Sequence, residues 1–194
     1  FQHLCMIALL SPAKSLNFDN RCAAKTFSEP RFIETANSSV AKLSKLSSKK
    51  LGALMSLSPS LSDLNFERYQ QWGDAEEQPA AAVFTGDVYR GLDATSLSEK
   101  ELSFAQGHLR ILSGLYGVLR PLDKIKPYRL EMGTKWPGTA KAKNLYALWG
   151  DEIRAAIEKD LAASGGSAVI NLASNEYAKA AKLETMSAPV YTCH

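Results

Sequence analysis

Between Phe104 and Lys135 the chain concentrates residues able to hold phosphate. Six cations, Arg110, Arg120, Lys124, Lys126, Arg129 and Lys135, are opposed by only Asp123 and Glu131, so this stretch carries +4 in a chain whose net charge is +3. Gly114 and Gly117 sit among them, in Leu112-Ser-Gly-Leu-Tyr-Gly117. A glycine-shaped turn presents backbone N–H groups, and such groups beside cations grip phosphate oxygens without reading bases. The spacing therefore predicts a helix–hairpin–helix-like element, although the usual pattern differs by one residue between the glycines. Ser113, Gly114 and Gly117 would form its hairpin. Arg110, Arg120, Lys124, Lys126 and Arg129 would hold the backbone of duplex DNA. The bland alternative is a buried turn whose arginines pair with Asp87, Asp123 or Glu131.

A second constellation has the residue types for acid–base work. Asp87, Glu131 and Glu176 can meet Lys14 and Arg129 in a cleft, either as a structural ion network or as an active site. Lys14, Asp87, Glu131, Asn171 and Glu176 are the catalytic candidates for a pocket that would take a nucleotide or a damaged base. Other chemistries find little support. His3, His108 and His194 lie far apart with no ligand partners at metal spacing, so no metal or cofactor is expected. There is no Gly-x-Ser-x-Gly elbow, and Ser11 and Ser174 read more naturally as caps. No Walker or dinucleotide-binding glycine motif follows a strand.

These residues need elements to position them. Met6–Leu10, Ala80–Phe84 and Ala168–Leu172 read as short buried strands. Each is followed by polar residues: Ser11-Pro-Ala-Lys14, Thr85-Gly-Asp87 and Asn171 to Glu176. Parallel neighbouring strands would bring these loops to one sheet edge, where α/β proteins bind ligands. Residues 30–57 follow a helical period, with Lys42, Lys45 and Lys49 on the polar face. A short helix is expected over Ser62–Trp72. Ser98 and Glu101 form a capping box opening a helix whose stripe is Leu102, Ala105, Leu109 and Leu112. Tyr128–Trp136 alternates like a half-buried strand. Asn144 caps a helix running to about Ala163, and Gly165-Gly166 stops it. Ser174 caps another. The fold class expected is α/β, a mixed sheet flanked by helices, with a basic cleft and the hairpin element.

Length and composition fit one globular domain. The chain has 194 residues, 45% hydrophobic and 22% charged. No apolar run approaches the roughly 20 residues that span a bilayer, so no membrane is expected. Cys5, Cys22 and Cys193 are odd in number and scattered, which points to reduced thiols and the cytoplasm. A monomer is the expected state.

Five motifs carry a resemblance. Leu10-Ser-Pro-Ala-Lys-Ser-Leu16, Phe84-Thr-Gly-Asp-Val-Tyr89, His108 through Asp123, Pro127-Tyr-Arg-Leu-Glu-Met132 and Val169-Ile-Asn-Leu-Ala-Ser-Asn-Glu-Tyr177 resemble, in order, the peroxide stress protein YaaA family. The resemblance implies a cytoplasmic bacterial protein that protects against hydrogen peroxide by limiting free intracellular iron and oxidative damage. It implies an unusual α/β fold with a basic cleft and a helix–hairpin–helix-like element, associated with duplex DNA and with no firmly attached reaction. The family pattern continues beyond Tyr191. The expectation is therefore a family domain over 6–194 lacking its C-terminal portion, preceded by five residues outside the family. Sequence-independent duplex binding is the leading reading. A nucleotide- or damaged-base-processing enzyme and an iron-sequestering protein are the alternatives.

Overall fold

A computed structural model describes residues 6–136 and 142–193. Its strands are β1 (Met6–Leu10), β2 (Gln78–Pro79), β3 (Leu109–Ser113), β4 (Gly117–Leu119), β5 (Lys124–Ile125), β6 (Ala168–Asn171) and β7 (Val190–Thr192). Its α-helices are α1 (Ile33–Leu43), α2 (Ser48–Met55), α3 (Pro59–Gln70), α4 (Ala80–Val83), α5 (Asp87–Leu92), α6 (Glu99–His108), α7 (Leu145–Trp149), α8 (Glu152–Ala163) and α9 (Asn175–Ala180).

Five strands form one mixed sheet in the order β4-β3-β1-β6-β7. β1 runs parallel to both β3 and β6, with Ala8 opposite Leu109 and Ile170. β7 extends the parallel set, and β4 turns back antiparallel on β3. β2 and β5 pair separately. Helices flank the sheet: α6 packs on β1 and β3, and α8 on β1 and β4. Ile7, Leu9, Ile111, Leu119, Trp149, Ile153 and Ile157 are buried in the shared core. The central strands thus read as near-continuous apolar runs because helices cover them.

Local chemistry sets the helix ends. Ser47 and Ser58 cap α2 and α3, and Pro59 occupies the first turn, where its missing N–H costs nothing. The Ser98–Glu101 capping box opens α6 as expected. Asn144 caps α7 through the N–H of Ala147.

Several sequence expectations are corrected. Residues 30–57 divide into α1 and α2. The stretch after Asn144 divides into α7 and α8, because Gly150 turns to φ +50° between them. Ala80–Val83 is a helical turn and not a strand, although Leu16 still bridges Phe84. Tyr128–Trp136 forms no strand, yet Tyr128, Leu130 and Met132 are buried as the alternation requires.

The largest correction concerns the hairpin. α6 stops at His108, and Leu109–Ser113 continues as β3 beside β1. The turn at Ser113–Gly117 therefore joins two β-strands, and no helix–hairpin–helix exists there. Leu109 and Leu112 were in phase with the helix, but pairing with β1 recruits this apolar run as strand. Ser113, Gly114 and Gly117 are buried. The Ser113 hydroxyl accepts the N–H groups of Leu115 and Tyr116 and hydrogen-bonds the Tyr128 hydroxyl at 2.7 Å. The Gly114 carbonyl accepts the indole N–H of Trp149 at 3.0 Å. Inside the protein these groups have partners already, so they are not available to a phosphate.

Candidate functional site

β1 and β6 are parallel neighbours, so the loops following them open on the same edge of the sheet. Ser11–Lys14 leaves β1 there, and Ser174 and Glu176 follow β6. The two loops are stitched together: the Ser174 N–H donates to the Ser11 hydroxyl at 2.9 Å. Ser174 stands at the N-cap of α9, but its hydroxyl meets Ser11 and caps no helix N–H. The Tyr89 hydroxyl donates to the Ser11 carbonyl at 2.7 Å and fixes this loop from a third side.

The fourth wall is the irregular segment 128–133. It lies against the β-hairpin, where Gly114 makes the close approach possible. A Cβ on Gly114 would stand 2.4 Å from the Leu130 carbonyl oxygen. The buried Tyr69 hydroxyl donates to the Arg129 carbonyl. The glycine and serine read from sequence as phosphate contacts are thus the bed on which Arg129 and Glu131 rest.

Together these walls enclose a cavity of about 200 Å³. Its sides are mainly apolar: Pro12, Ala13 and Leu130, with Tyr128 and Tyr177. It opens into a wider hollow of about 670 Å³ bordered by the C-terminal end of α2, Gly133, Thr134 and Lys135. Lys14, Arg129, Glu131 and Glu176 line both parts.

The charged groups interlock. One Glu131 oxygen accepts from Arg129 Nη2 at 2.7 Å and Nε at 3.1 Å. The other lies 3.2 Å from Lys14 Nζ. Burial opposes ionisation of Glu131, but the Arg129 and Lys14 hydrogen bonds and charges together outweigh it and hold its pKa below the usual range. Glu176 accepts the Gly133 N–H at 2.6 Å. Burial pushes the Tyr128 and Tyr177 phenols upward, so both remain protonated at neutral pH. With three cations and two carboxylates among the described residues, the cleft is mixed in charge and not uniformly basic.

Of the catalytic candidates, Lys14, Glu131 and Glu176 come together. Asp87 does not: it is exposed and pairs with Arg90. Asn171 is buried beneath the loop, where its side-chain oxygen accepts the Ala173 N–H at 3.0 Å. Of the expected phosphate-binding cations, only Arg129 lines the cleft. Arg110 is buried, with Nε 2.7 Å from Asp160. Arg120 clasps the buried Asp123 at 2.8 Å. Lys124 lies 3.4 Å from Glu77, and Lys126 donates to the Trp72 carbonyl at 2.7 Å. Each of these cations is tied to a carboxylate or carbonyl; Arg120 and Arg129 meet Asp123 and Glu131, as the bland alternative held, whereas Arg110 meets Asp160, which it did not name. Sequence reasoning missed Tyr128 and Tyr177 as cavity walls. The Tyr128–Met132 alternation was the available signal, since it put Tyr128 on the buried side. Among the described residues, no group of three or more His, Cys, Asp or Glu is arranged to hold a metal. None of their helices is long and apolar enough to cross a membrane.

Fold and cleft define a mixed α/β protein with a ligand-sized site at the carboxyl edge of its central parallel strands. The chain belongs to the peroxide stress protein YaaA family, whose family model matches residues 6–194. The resemblance read from the five motifs is borne out. A UPF0246 protein of Burkholderia lata is 47% identical over 193 residues, covering 96% of this chain and 74% of the relative. UPF0246 proteins of Burkholderia vietnamiensis and Burkholderia orbicola are each 46% identical over the same shares.

Proposed function

We propose that the protein serves the peroxide response by taking a nucleotide, or an unstacked damaged base, into the cleft. The observation that carries this reading is the convergence of Lys14, Arg129, Glu131 and Glu176 around an apolar-sided cavity at the carboxyl edge of β1 and β6. A planar ring suits the space between Pro12, Ala13, Leu130 and the two tyrosines. The Glu176 carboxylate at the rim accepts ring or exocyclic N–H groups, and Lys14, Arg129 and Lys135 favour an attached phosphate. Nucleobases are targets of oxidative damage, which connects the site to the family's name.

Calorimetric titration with a panel of nucleoside monophosphates, and incubation with duplexes carrying oxidised bases, tests this. Saturable binding, or a modified product, is expected. Absence of both across the panel at millimolar ligand would reject it. Equilibrium dialysis against ferrous iron runs beside it, and retained metal would favour sequestration instead.

Sequence-independent duplex binding is a second reading, favoured by a different observation from the hairpin. Lys45, Lys49 and Lys50 are exposed and form no ion pair with a described residue. Lys49 borders a hollow that shares Ala53 with the cleft, and Lys135 lies on the cleft rim. If about four phosphates are neutralised, log affinity falls with log salt at a slope of about −3.6. Salt-insensitive affinity would rule this reading out.

A further inference from the structure

The Arg129 and Lys14 side chains meet one carboxylate from two directions. Arg129 aims both Nε and Nη2 at a single Glu131 oxygen, at 3.1 and 2.7 Å, and Lys14 holds the other oxygen at 3.2 Å. A guanidinium fork is built to engage two oxygens of one anion, and a phosphoryl group offers them together with a third for the ammonium. Glu131 uses the fork incompletely. It is also the only carboxylate within ion-pair distance of either cation among the described residues.

The position of the fork is fixed from behind. Tyr69 holds the Arg129 carbonyl, and Arg129 Nη1 reaches the Lys14 carbonyl at 3.4 Å. The carboxylate itself is on a freer side chain, 30% exposed, and its Lys14 partner is 67% exposed. Exposed pairs of this kind release at little cost. Arg129, only 17% exposed, is therefore the preset cation, and the Lys14 ammonium and the Glu131 carboxylate are the parts free to move.

We infer that Lys14 and Arg129 form a phosphoryl-binding subsite that the chain's own Glu131 fills when no ligand is present. The inference rests on the nucleotide reading of the cleft and adds what that reading leaves open: where the phosphate goes and what it must displace. Glu131 acts as an internal competitor. It cancels one of the two positive charges of the empty site and makes affinity for weak anions low. A ligand with a ring in the inner cavity gains enough from both halves to move the carboxylate aside.

The test compares AMP, adenosine and pyrophosphate on the full chain by calorimetry, with the parent, Glu131→Gln and Arg129→Lys. Glu131→Gln should tighten AMP and pyrophosphate by roughly fivefold or more, the effect of removing one unit charge about 4 Å away even at the screening of bulk water. Adenosine affinity should not change. Arg129→Lys, which removes the fork but keeps the charge, should weaken AMP toward adenosine; it also serves if Glu131→Gln folds poorly. Unchanged or weaker AMP and pyrophosphate binding by a folded Glu131→Gln would overturn the subsite. Adenosine binding with no preference for AMP would remove the subsite and leave the ring pocket. Pyrophosphate binding that rises in Glu131→Gln, with no adenosine binding, would keep the subsite and overturn the nucleotide reading.

Discussion

Gly114→Ala separates the two roles open to the β-hairpin. In the phosphate-contact role, an added methyl would weaken DNA binding and leave stability nearly untouched. In the structure it points at backbone. The new Cβ would lie 2.4 Å from the Leu130 carbonyl oxygen and 3.1 Å from the carbonyl carbons of Leu130 and Glu131. Those atoms are not the tip of a flexible side chain, so the 128–133 segment must retreat until the contact opens from 2.4 Å to at least 3.0 Å. Gly114 has no positive φ, so the effect is steric and not conformational. Overpacking of this kind costs about 1–3 kcal/mol. Retreat also stretches the Ser113–Tyr128 hydrogen bond, for a further ~1 kcal/mol. A total of about 2–4 kcal/mol corresponds to a Tm lower by roughly 5–15 °C in a chain of this size. Scanning calorimetry measures it, and binding of a cleft ligand should fall in parallel because Arg129 and Glu131 ride on the displaced segment. A Tm within about 2 °C of the parent would refute the close approach and with it the positioning role of the hairpin.

Arg110→Ala should destabilise by about 3 kcal/mol in urea melts, since it strips a buried partner from Asp160, while leaving duplex affinity at its parental value in fluorescence anisotropy. The same pair gives a pH dependence. Burial resists ionisation of Asp160, but the hydrogen bonds and charges of Arg31 and Arg110 prevail and lower its folded-state pKa. Its contribution is therefore full above the unfolded value of 3.8 and is lost as pH falls through the lower folded value; Asp160→Asn should flatten that acid limb of the stability curve. The double substitution Lys49→Ala with Lys50→Ala should change stability by no more than about 0.5 kcal/mol. If duplex DNA uses that face, the magnitude of the salt slope should drop by about 1.8.

Much of the frame was legible in the chain. β1 and β6 were visible as short apolar runs ended by Ser-Pro and by Ala-Ser-Asn, because strands covered by helices need no polar alternation. Their neighbouring parallel placement brings Lys14 and Glu176 to one edge, as expected from such loops. The Ser98–Glu101 capping box, the Asn144 cap and the Gly165 stop were equally readable, since caps depend on bonds within four residues. The β3 region was not. Leu102, Ala105, Leu109 and Leu112 keep helical phase, and only the open flank of β1 decides that Leu109–Ser113 is strand.

The same limit governed the site. The sequence by itself determined which residues carry charge, where glycine is required and which runs must be buried; these are properties of side chains and of neighbours along the chain. It also placed Lys14, Arg129, Glu131 and Glu176 among the residues worth pairing. Which charges meet was decided only by tertiary packing. Arg110 found Asp160 fifty residues away, Arg120 turned onto Asp123, and Arg129 alone of the five expected cations reached the cleft. An ion pair forms wherever folding brings opposite charges out of water together, and that juxtaposition is a product of the sheet order and of the Gly114–Leu130 contact, neither of which is written in local spacing.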